Sequence, residues 1–434
     1  MQRFLDNLKV CNIIPNISRI NLVNELKDKI RETKVEVIPH KFFYYDLECS
    51  YNWIKLMGDT TNYPLAYQTR NMLQINFERI INIIKEEGSP HFDLLSLGVG
   101  DGYDDLRMLE SIRKILFGDD TSRNKITYYP VDISYDLINN ALNLFIDRIP
   151  GFVNKRMEII ILNSDFEKLS AYNSIINRYS RNPKLITLLG STLGNFYELT
   201  LMRAIQSLMN NDDYLLIGVD CCYENQSIDK IIKKNSESTY GLQFLLGPLR
   251  SLDTIQIEGD TIHIPSMAED QITTNTSDQP LTSLPPSEVA TIIHSINLGN
   301  HKILLTMSHK YKIQPLIDFF RTLGLTLVEK FIPSHSENCN YCLFLLKFDN
   351  STKSDYEEQS LIETVRGIID KDPSNIDKEK ITNKVDEISR YLKNPSTPID
   401  QRNQAIDKLK SIQSNGIVNH DDLAEILKIF RSRQ

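Results

Sequence analysis

From residue 92 the chain repeats one order: an apolar run of strand length, a turn carrying glycine or aspartate, then apolar residues at helical spacing. FDLLSLGVG reads as a strand entering a glycine loop, with a helix over 104–116 after it. ITYYPVDIS, MEIIILNSDF, KLITLLGSTLGNF and DYLLIGVDC read as four further strands, with a helix over 135–148. Strands that are apolar throughout must be covered on both faces, and parallel neighbours need a crossover helix between them. The pattern therefore predicts an α/β fold, a Rossmann-like sheet that is mostly parallel.

The flanks break this rhythm. Residues 1–90 are predicted mostly helical, with a clear amphipathic stretch at LQINFERIINIIK. Within them, PHKFFYYDLECSYNWIKLMGDTTNYPLAY (39–67) is aromatic-rich and too irregular for one helix. The sheet domain is expected over 91–252 and 310–348. Between them, 253–309 reads as an inserted, smaller α+β subdomain on the substrate side, to which 1–90 contributes. There TIQIEGDTIHI alternates like an antiparallel strand and KILLTMSHKY is another strand. Residues 265–286, rich in Ser, Thr, Asp and Pro, read as a flexible loop. LTLVEKFIP and YCLFLLKF suit an antiparallel hairpin at the sheet edge, and 350–434 a helical C-terminal appendix.

Composition excludes some functions. A net charge of −8 favours neither a nucleic-acid backbone nor an anionic membrane. No apolar run reaches the ~18 residues of a membrane span, and the N-terminus lacks the order of a secretory signal. A cytoplasmic protein is the default expectation. Six cysteines are too few for a disulfide scaffold. Cys339 and Cys342 form a lone CxxC, read as cysteines at a strand edge rather than a metal site. The eight histidines, His309 among them, show no metal spacing.

Chemistry gathers where the strands end. Gly98, Gly100 and Gly102 form a GxGxG loop after the first strand, which lets backbone approach a ligand closely. Asp132 ends the second strand, where a carboxylate can accept ribose hydroxyls. Asp165 and Phe166 end the third, where an Asp can bind an adenine amino group and an aromatic can pack on the base. Gly190 to Phe196 (GSTLGNF) follow the fourth, and Asn195 there offers a donor and an acceptor. Open α/β sheets bind ligands at these strand ends, so the set points to an adenosine-containing cofactor. The GxGxG spacing and the position of Asp132, about 30 residues past the loop, argue against a nicotinamide dehydrogenase.

LLSLGVGDGYDD, YYPVDIS, NSDF and LLGSTLGNF, in that order, resemble the histidine-specific Nα-methyltransferase family of ergothioneine biosynthesis. YDLECSYNWIKLMGDTTNYP resembles its N-terminal segment, and LLTMSHKY its late strand beside the amino-acid pocket. The resemblance covers roughly residues 35–348. It implies a class I methyltransferase using S-adenosyl-L-methionine, with Gly98, Gly100, Asp132, Asp165 and Phe166 binding the cofactor. It implies that Asn195, Gly190 and Tyr63 hold the acceptor's amino and carboxylate groups, with Ser308 and Tyr45 near its side chain. Thr306 stands where the family has the Glu that recognises imidazole, and Asn62-Tyr63-Pro64 replaces Tyr-Tyr-Pro.

The expected activity is methyl transfer to an amine nitrogen, the α-amino group of an amino acid or related small molecule, not necessarily histidine. Asn195 would aim the lone pair, and Tyr63 would orient the amine or take its proton. Two alternatives stay open: a catalytically silent cofactor-binding module that serves a protein partner, and a protein N-methyltransferase.

Overall fold

The computed structural model describes residues 8–12, 19–32, 37–89, 91–118, 125–180, 182–222, 239–250, 252, 254–257, 260–263, 272–277, 282–298, 301–333, 340–348, 378–393, 401, 404–405, 408–409 and 420–431. Residues 1–319 with 326–348 form one compact unit, and 320–325 with 349–434 a second. Among the described residues, no helix is long and apolar enough to cross a membrane.

The first unit is built on an eight-stranded sheet. Its strands are β1 (Leu8–Asn12), β2 (Asp93–Leu97), β3 (Ile126–Asp132), β4 (Met157–Asn163), β5 (Lys184–Leu188), β6 (Tyr214–Asp220), β12 (Leu325–Phe331) and β13 (Tyr341–Phe348). Their spatial order is β1-β4-β3-β2-β5-β6-β13-β12. Strands β1 to β6 run parallel, and β13 is antiparallel to β6. This is a Rossmann-like sheet whose strand order reverses between β2 and β5, where such sheets open a crevice. Every residue of β2, β3 and β5 is buried, because helices cover both faces. On one face, Leu73, Phe77 and Ile80 of α3 (Leu65–Glu86) and Leu109 and Ile112 of α4 (Tyr103–Phe117) pack on Leu94, Tyr128 and Leu185.

One edge strand differs from expectation. β1 pairs with β4, with Leu8 opposite Ile159, inside the stretch expected to be mostly helical. A run of five residues is too short to show a period, and its partner lies about 150 residues away.

The second layer stands over the carboxyl ends of the strands. β9 (Ile272–Thr276), β10 (Val289–Leu298) and β11 (His301–Tyr311) form an antiparallel sheet in the order β11-β10-β9. β9 falls within the segment expected to be a flexible loop. Its Thr-rich sequence suits a pleated edge, and Thr274 and Thr273 pair across to His294 and Ser295. Residues 265–271 and 278–281 of that segment lie outside the described residues. Within TIQIEGDTIHI, β7 (Thr254–Ile257) pairs antiparallel with β8 (Asp260–His263). The aromatic segment follows α1 (Arg19–Glu32), makes a short turn at His40–Phe43 and then forms helix α2 (Leu47–Gly58). Asp46 caps that helix by accepting the Cys49 N–H at 2.8 Å. Phe42, Phe43 and Leu56 join Phe244, Leu245 and Leu249 of α9 (Thr239–Arg250) and Ile303 and Leu305 of β11 in a small core. This core holds the second layer above the crevice.

Between α3 and α9 in chain order lie α4, α5 (Tyr135–Arg148), α6 (Pro150–Arg156), α7 (Asn173–Tyr179) and α8 (Glu198–Gln206), and α10 (Ile313–Thr322) follows β11. In the second unit, α11 (Lys378–Lys393) and α12 (His420–Arg431) pack Ile381, Val385 and Ile388 against Leu423, Ile426 and Leu427. That is a separate apolar core.

Gly102 opens α4 with φ of 82°, and a Cβ there would stand 2.6 Å from Ala141 Cβ on α5. Gly102→Ala therefore meets both a left-handed backbone and a packed helix. We expect it to destabilise the fold by about 2 kcal/mol. The check is a denaturant midpoint, which an unimportant glycine would leave unmoved.

Candidate active site

A cavity of about 240 Å³ lies at the strand tips under the second layer. A smaller one of about 70 Å³ adjoins it, and the two share His40, Tyr44, Trp53, Gly98, Gly100 and Thr192 in their walls. Of the residues singled out from the sequence, Asp132, Asp165 and Phe166 line the smaller cavity. Tyr63, Gly190, Asn195, Thr306 and Ser308 line the larger, and Gly98 and Gly100 line both.

Two expected residues stand elsewhere. Gly102 lines neither cavity: it faces Ala141, so its lack of a side chain serves helix packing. Tyr45 lines neither cavity: its ring packs edge-on against Phe42, 6.1 Å between centroids, in the small core. Its neighbour Tyr44 turns to the cavities instead.

The smaller cavity is a narrow slot. Phe166 forms one wall, 3.5 Å from where a Gly98 Cβ would lie, and Phe196 stands 5.8 Å from it. Asp132 accepts the Ser134 N–H at 2.9 Å and the Gly100 N–H at 3.5 Å. Burial pushes its carboxyl up to about 6, and these backbone donors oppose the shift. Lys41 lies 3.5 Å from Asp165 and also pairs with Glu25 at 2.6 Å.

The glycine loop lies between the cavities over a group of carboxyls. Asp105 is bonded by Ser96 at 2.8 Å and by the Tyr128 hydroxyl, while Asp101 pairs with Arg70. Burial is the largest cause raising Asp105 to about 7 and Asp104 to about 8, with Asp101 adding to both shifts. A carboxyl whose folded pKa is raised stabilises the fold below the ordinary carboxylate range. That contribution is lost as pH rises through the folded value. His40 and His294 are held down near 4 by burial, so they exert no pH dependence above about pH 6.5. The cofactor-free protein should therefore lose stability from pH 6.5 to 8.5. Asp105→Asn should flatten that slope in thermal denaturation, and an equal slope in both proteins would disprove the assignment.

The larger cavity is shaped by the loop after β5. The Gly190 N–H donates to the Tyr341 hydroxyl at 2.8 Å, and that hydroxyl occupies space a side chain at Gly218 would fill. Ser191 is the one non-glycine residue with positive φ (60°) among the described residues. Its hydroxyl accepts the Asp220 N–H at 2.8 Å, which ties the loop to the end of β6. Strained backbone of this kind persists where the surroundings over-determine it. Gly194 lets the loop touch β11: a Cβ there would lie 2.7 Å from the His309 carbonyl oxygen.

Strand alternation then decides what the cavity meets. Thr306, Ser308 and Lys310 share the cavity face of β11, while His309 turns away to bond Thr291 at 2.7 Å. His294 sits opposite Thr306 in the ladder and also lines the cavity. Tyr63 is pushed up by burial and by the Asp220 carboxylate, so it remains a phenol.

Several lining residues were not singled out from the sequence: Tyr44, Trp53, Phe244, His294, Lys310 and Asp220. Lys310 was within reach, because it continues the two-residue period of Thr306 and Ser308. Tyr44, Trp53 and Phe244 come from three elements and meet at centroid distances of 5.3–5.5 Å, which no local pattern announces.

Residues 22–347 match the model of the histidine-specific, S-adenosylmethionine-dependent methyltransferases. The chain belongs to that family. S-adenosylmethionine is accordingly the cofactor of this methyltransferase. Comparison with the curated proteins finds no match. Among solved structures, the 1,6-didemethyltoxoflavin-N1-methyltransferase of Burkholderia thailandensis is 11% identical, with a TM-score of 0.35 over 73% of this chain and 92% of its own. The sugar N-methyltransferase KedS8 of Streptoalloteichus sp. is 10% identical, with a TM-score of 0.32 over 68% and 93%. These likenesses are too distant to bear on the acceptor of this methyltransferase.

Proposed function

We propose that this methyltransferase acts on an amine nitrogen, the α-amino group of an amino acid or related small molecule, not necessarily histidine. The observation that carries the reading is the shared wall of the two cavities. Gly98 and Gly100 line both, with Asp132, Asp165 and Phe166 on one side and Tyr63, Gly190 and Asn195 on the other.

The residues present fit the cofactor. The slot between Phe166 and Gly98 suits a flat base, and Asp132 stands at the end of β3 where ribose hydroxyls need an acceptor. A side chain at Gly98 or Gly100 would narrow the passage toward Phe166 and Trp53. When bound, S-adenosylmethionine supplies a methyl group already activated on a sulfonium. This chain's own work is then placement. The Asn195 carboxamide oxygen accepts an N–H of the neutral amine and turns its lone pair toward the passage. The Tyr63 hydroxyl orients the amine from the opposite wall without itself ionising. Aromatic side chains of the second layer exclude water, and holding the reactants in line supplies most of the acceleration.

Where the family has a glutamate against imidazole, Thr306 offers a hydroxyl. A neutral group there relaxes the demand for a basic ring, so the acceptor is left wider than histidine. The test is incubation with S-adenosylmethionine and a panel of amino acids and biogenic amines, read by mass spectrometry. Gain of one to three methyl units on an amino acid is the expected result. Cofactor binding with no methyl gain on any member, or on protein amines alone, would overturn the reading.

A further inference from the structure

Tyr341 is wholly buried in β13, under the loop that carries Asn195, and it lines neither cavity. Its hydroxyl accepts the Gly190 N–H at 2.8 Å and hydrogen-bonds the Thr69 hydroxyl in the second turn of α3. Thr69 already donates its proton to the Leu65 carbonyl at 2.9 Å, so toward Tyr341 it accepts. The bonds therefore run one way, from the Gly190 N–H to Tyr341, from Tyr341 to Thr69 and from Thr69 to Leu65. Burial holds Tyr341 as a phenol, which keeps in place the proton that the middle bond needs.

Both ends of this series are walls of the larger cavity. Leu65 opens α3, two residues after Tyr63. Gly190 begins the loop that leads to Asn195, and it and Ser191 hold positive φ of 67° and 60°. Such backbone persists where its bonds over-determine it. The Ser191 N–H donates to the Gly218 carbonyl at 3.1 Å and its hydroxyl takes the Asp220 N–H, which fixes Ser191 to β6. Tyr341 fixes Gly190. The neighbouring strand makes room for that oxygen. Gly218 sits inside buried β6, where a glycine weakens a strand, and a Cβ there would lie 1.9 Å from the Tyr341 oxygen. For packing in the main core, a phenylalanine at 341 would serve as well. Two positions of the sequence are thus given over to one hydroxyl.

We propose that Tyr341 is a positioning residue for methyl transfer: its hydroxyl sets the spacing between the Gly190 loop and the start of α3, and so between Asn195 and Tyr63. It touches neither cofactor nor acceptor. It acts through the two groups placed on the amine, and the inference rests on the amino-acid reading in that respect.

The experiment uses the full chain. Hydrogen exchange is read by mass spectrometry in peptides covering 186–196 and 62–72, with S-adenosylhomocysteine bound. Single-turnover transfer is measured from S-adenosylmethionine to an equimolar mixture of the twenty L-amino acids. Tyr341→Phe should slow transfer about 30-fold and leave the affinity for S-adenosylhomocysteine within about two-fold. It should speed exchange in both peptides about ten-fold. Thr69→Val keeps the bond between Tyr341 and Gly190, and it carries the test if Tyr341→Phe does not fold. It should slow transfer about ten-fold, whereas Thr69→Ser, which keeps the hydroxyl, should stay within about two-fold of wild type. In an Asn195→Ala background, Tyr341→Phe should cost no more than about three-fold, because a group it positions is gone. Wild-type transfer in Tyr341→Phe, or the full 30-fold loss on top of Asn195→Ala, would overturn the inference and leave the hydroxyl a part of the fold alone. Unchanged exchange in both peptides would overturn it whatever the acceptor. A wild type that methylates no amino acid, while Tyr341→Phe loosens both peptides, would sink the amino-acid reading and uphold the tie between the two walls.

Discussion

Replacing Asn195 by alanine is expected to lower methyl transfer about 100-fold while the affinity for S-adenosylhomocysteine changes by less than about two-fold. Asn195 ends the turn Thr192–Asn195 and faces the larger cavity, whereas Asp132, Asp165 and Phe166 line the smaller one. The two sets are held by different strands, β5 for Asn195 and β3 and β4 for the others. Truncating the carboxamide removes a group that orients the amine and leaves the adenosine slot intact. A single positioned hydrogen bond in a closed site is worth about 2.7–4 kcal/mol of barrier, and the lower end of that range is the 100-fold expected. Titration of both enzymes with S-adenosylhomocysteine, beside single-turnover rates on the acceptor found by mass spectrometry, separates the effects. Equal losses in cofactor affinity and rate would mean that Asn195 supports the whole cleft and has no part in aiming the amine.

The strand tips were legible in the sequence because each belongs to a local pattern. FDLLSLGVG, YYPVDIS and NSDF carry the run, the turn and the polar terminus within one segment. A parallel sheet must bring such termini to one edge. What was not legible depends on partners far apart in the chain. β1 is defined by its pairing with β4, and β9 by its pairing with β10. The aromatic wall joins Tyr44, Trp53 and Phe244, about 200 residues apart at the extremes. Asp220 and Lys310 look like ordinary charges at strand ends until β6 and β11 are brought together. Gly102 shows the converse: three glycines alternate in one loop, yet the third faces a helix and not the cavities. Spacing identified the loop, but the direction in which each Cβ would point needed coordinates.

The contact between Gly194 and His309 gives the second large expectation. A methyl group at residue 194 would lie 2.7 Å from the His309 carbonyl oxygen and 3.1 Å from its nitrogen. Both atoms are backbone, and β11 is fixed by its ladder with β10, so the strand cannot rotate a side chain out of the way. The turn must move instead, by about 1 Å, carrying Asn195 away from Ser308 and Lys310. Overpacking of this kind costs about 1–3 kcal/mol, and the chain has a large separate core on the sheet to absorb it. The chemistry is less tolerant, because a 1 Å misplacement of a positioning group costs about 100-fold in rate. Gly194→Ala should therefore fold, bind S-adenosylhomocysteine within a few-fold of wild type, and turn over about 100-fold more slowly. The acceptor should also bind more weakly, unlike in Asn195→Ala, because both walls of its cavity have separated. If Gly194→Ala kept wild-type turnover, β11 would not be a wall of the reacting site, and the acceptor would have to be sought on another face of the loop.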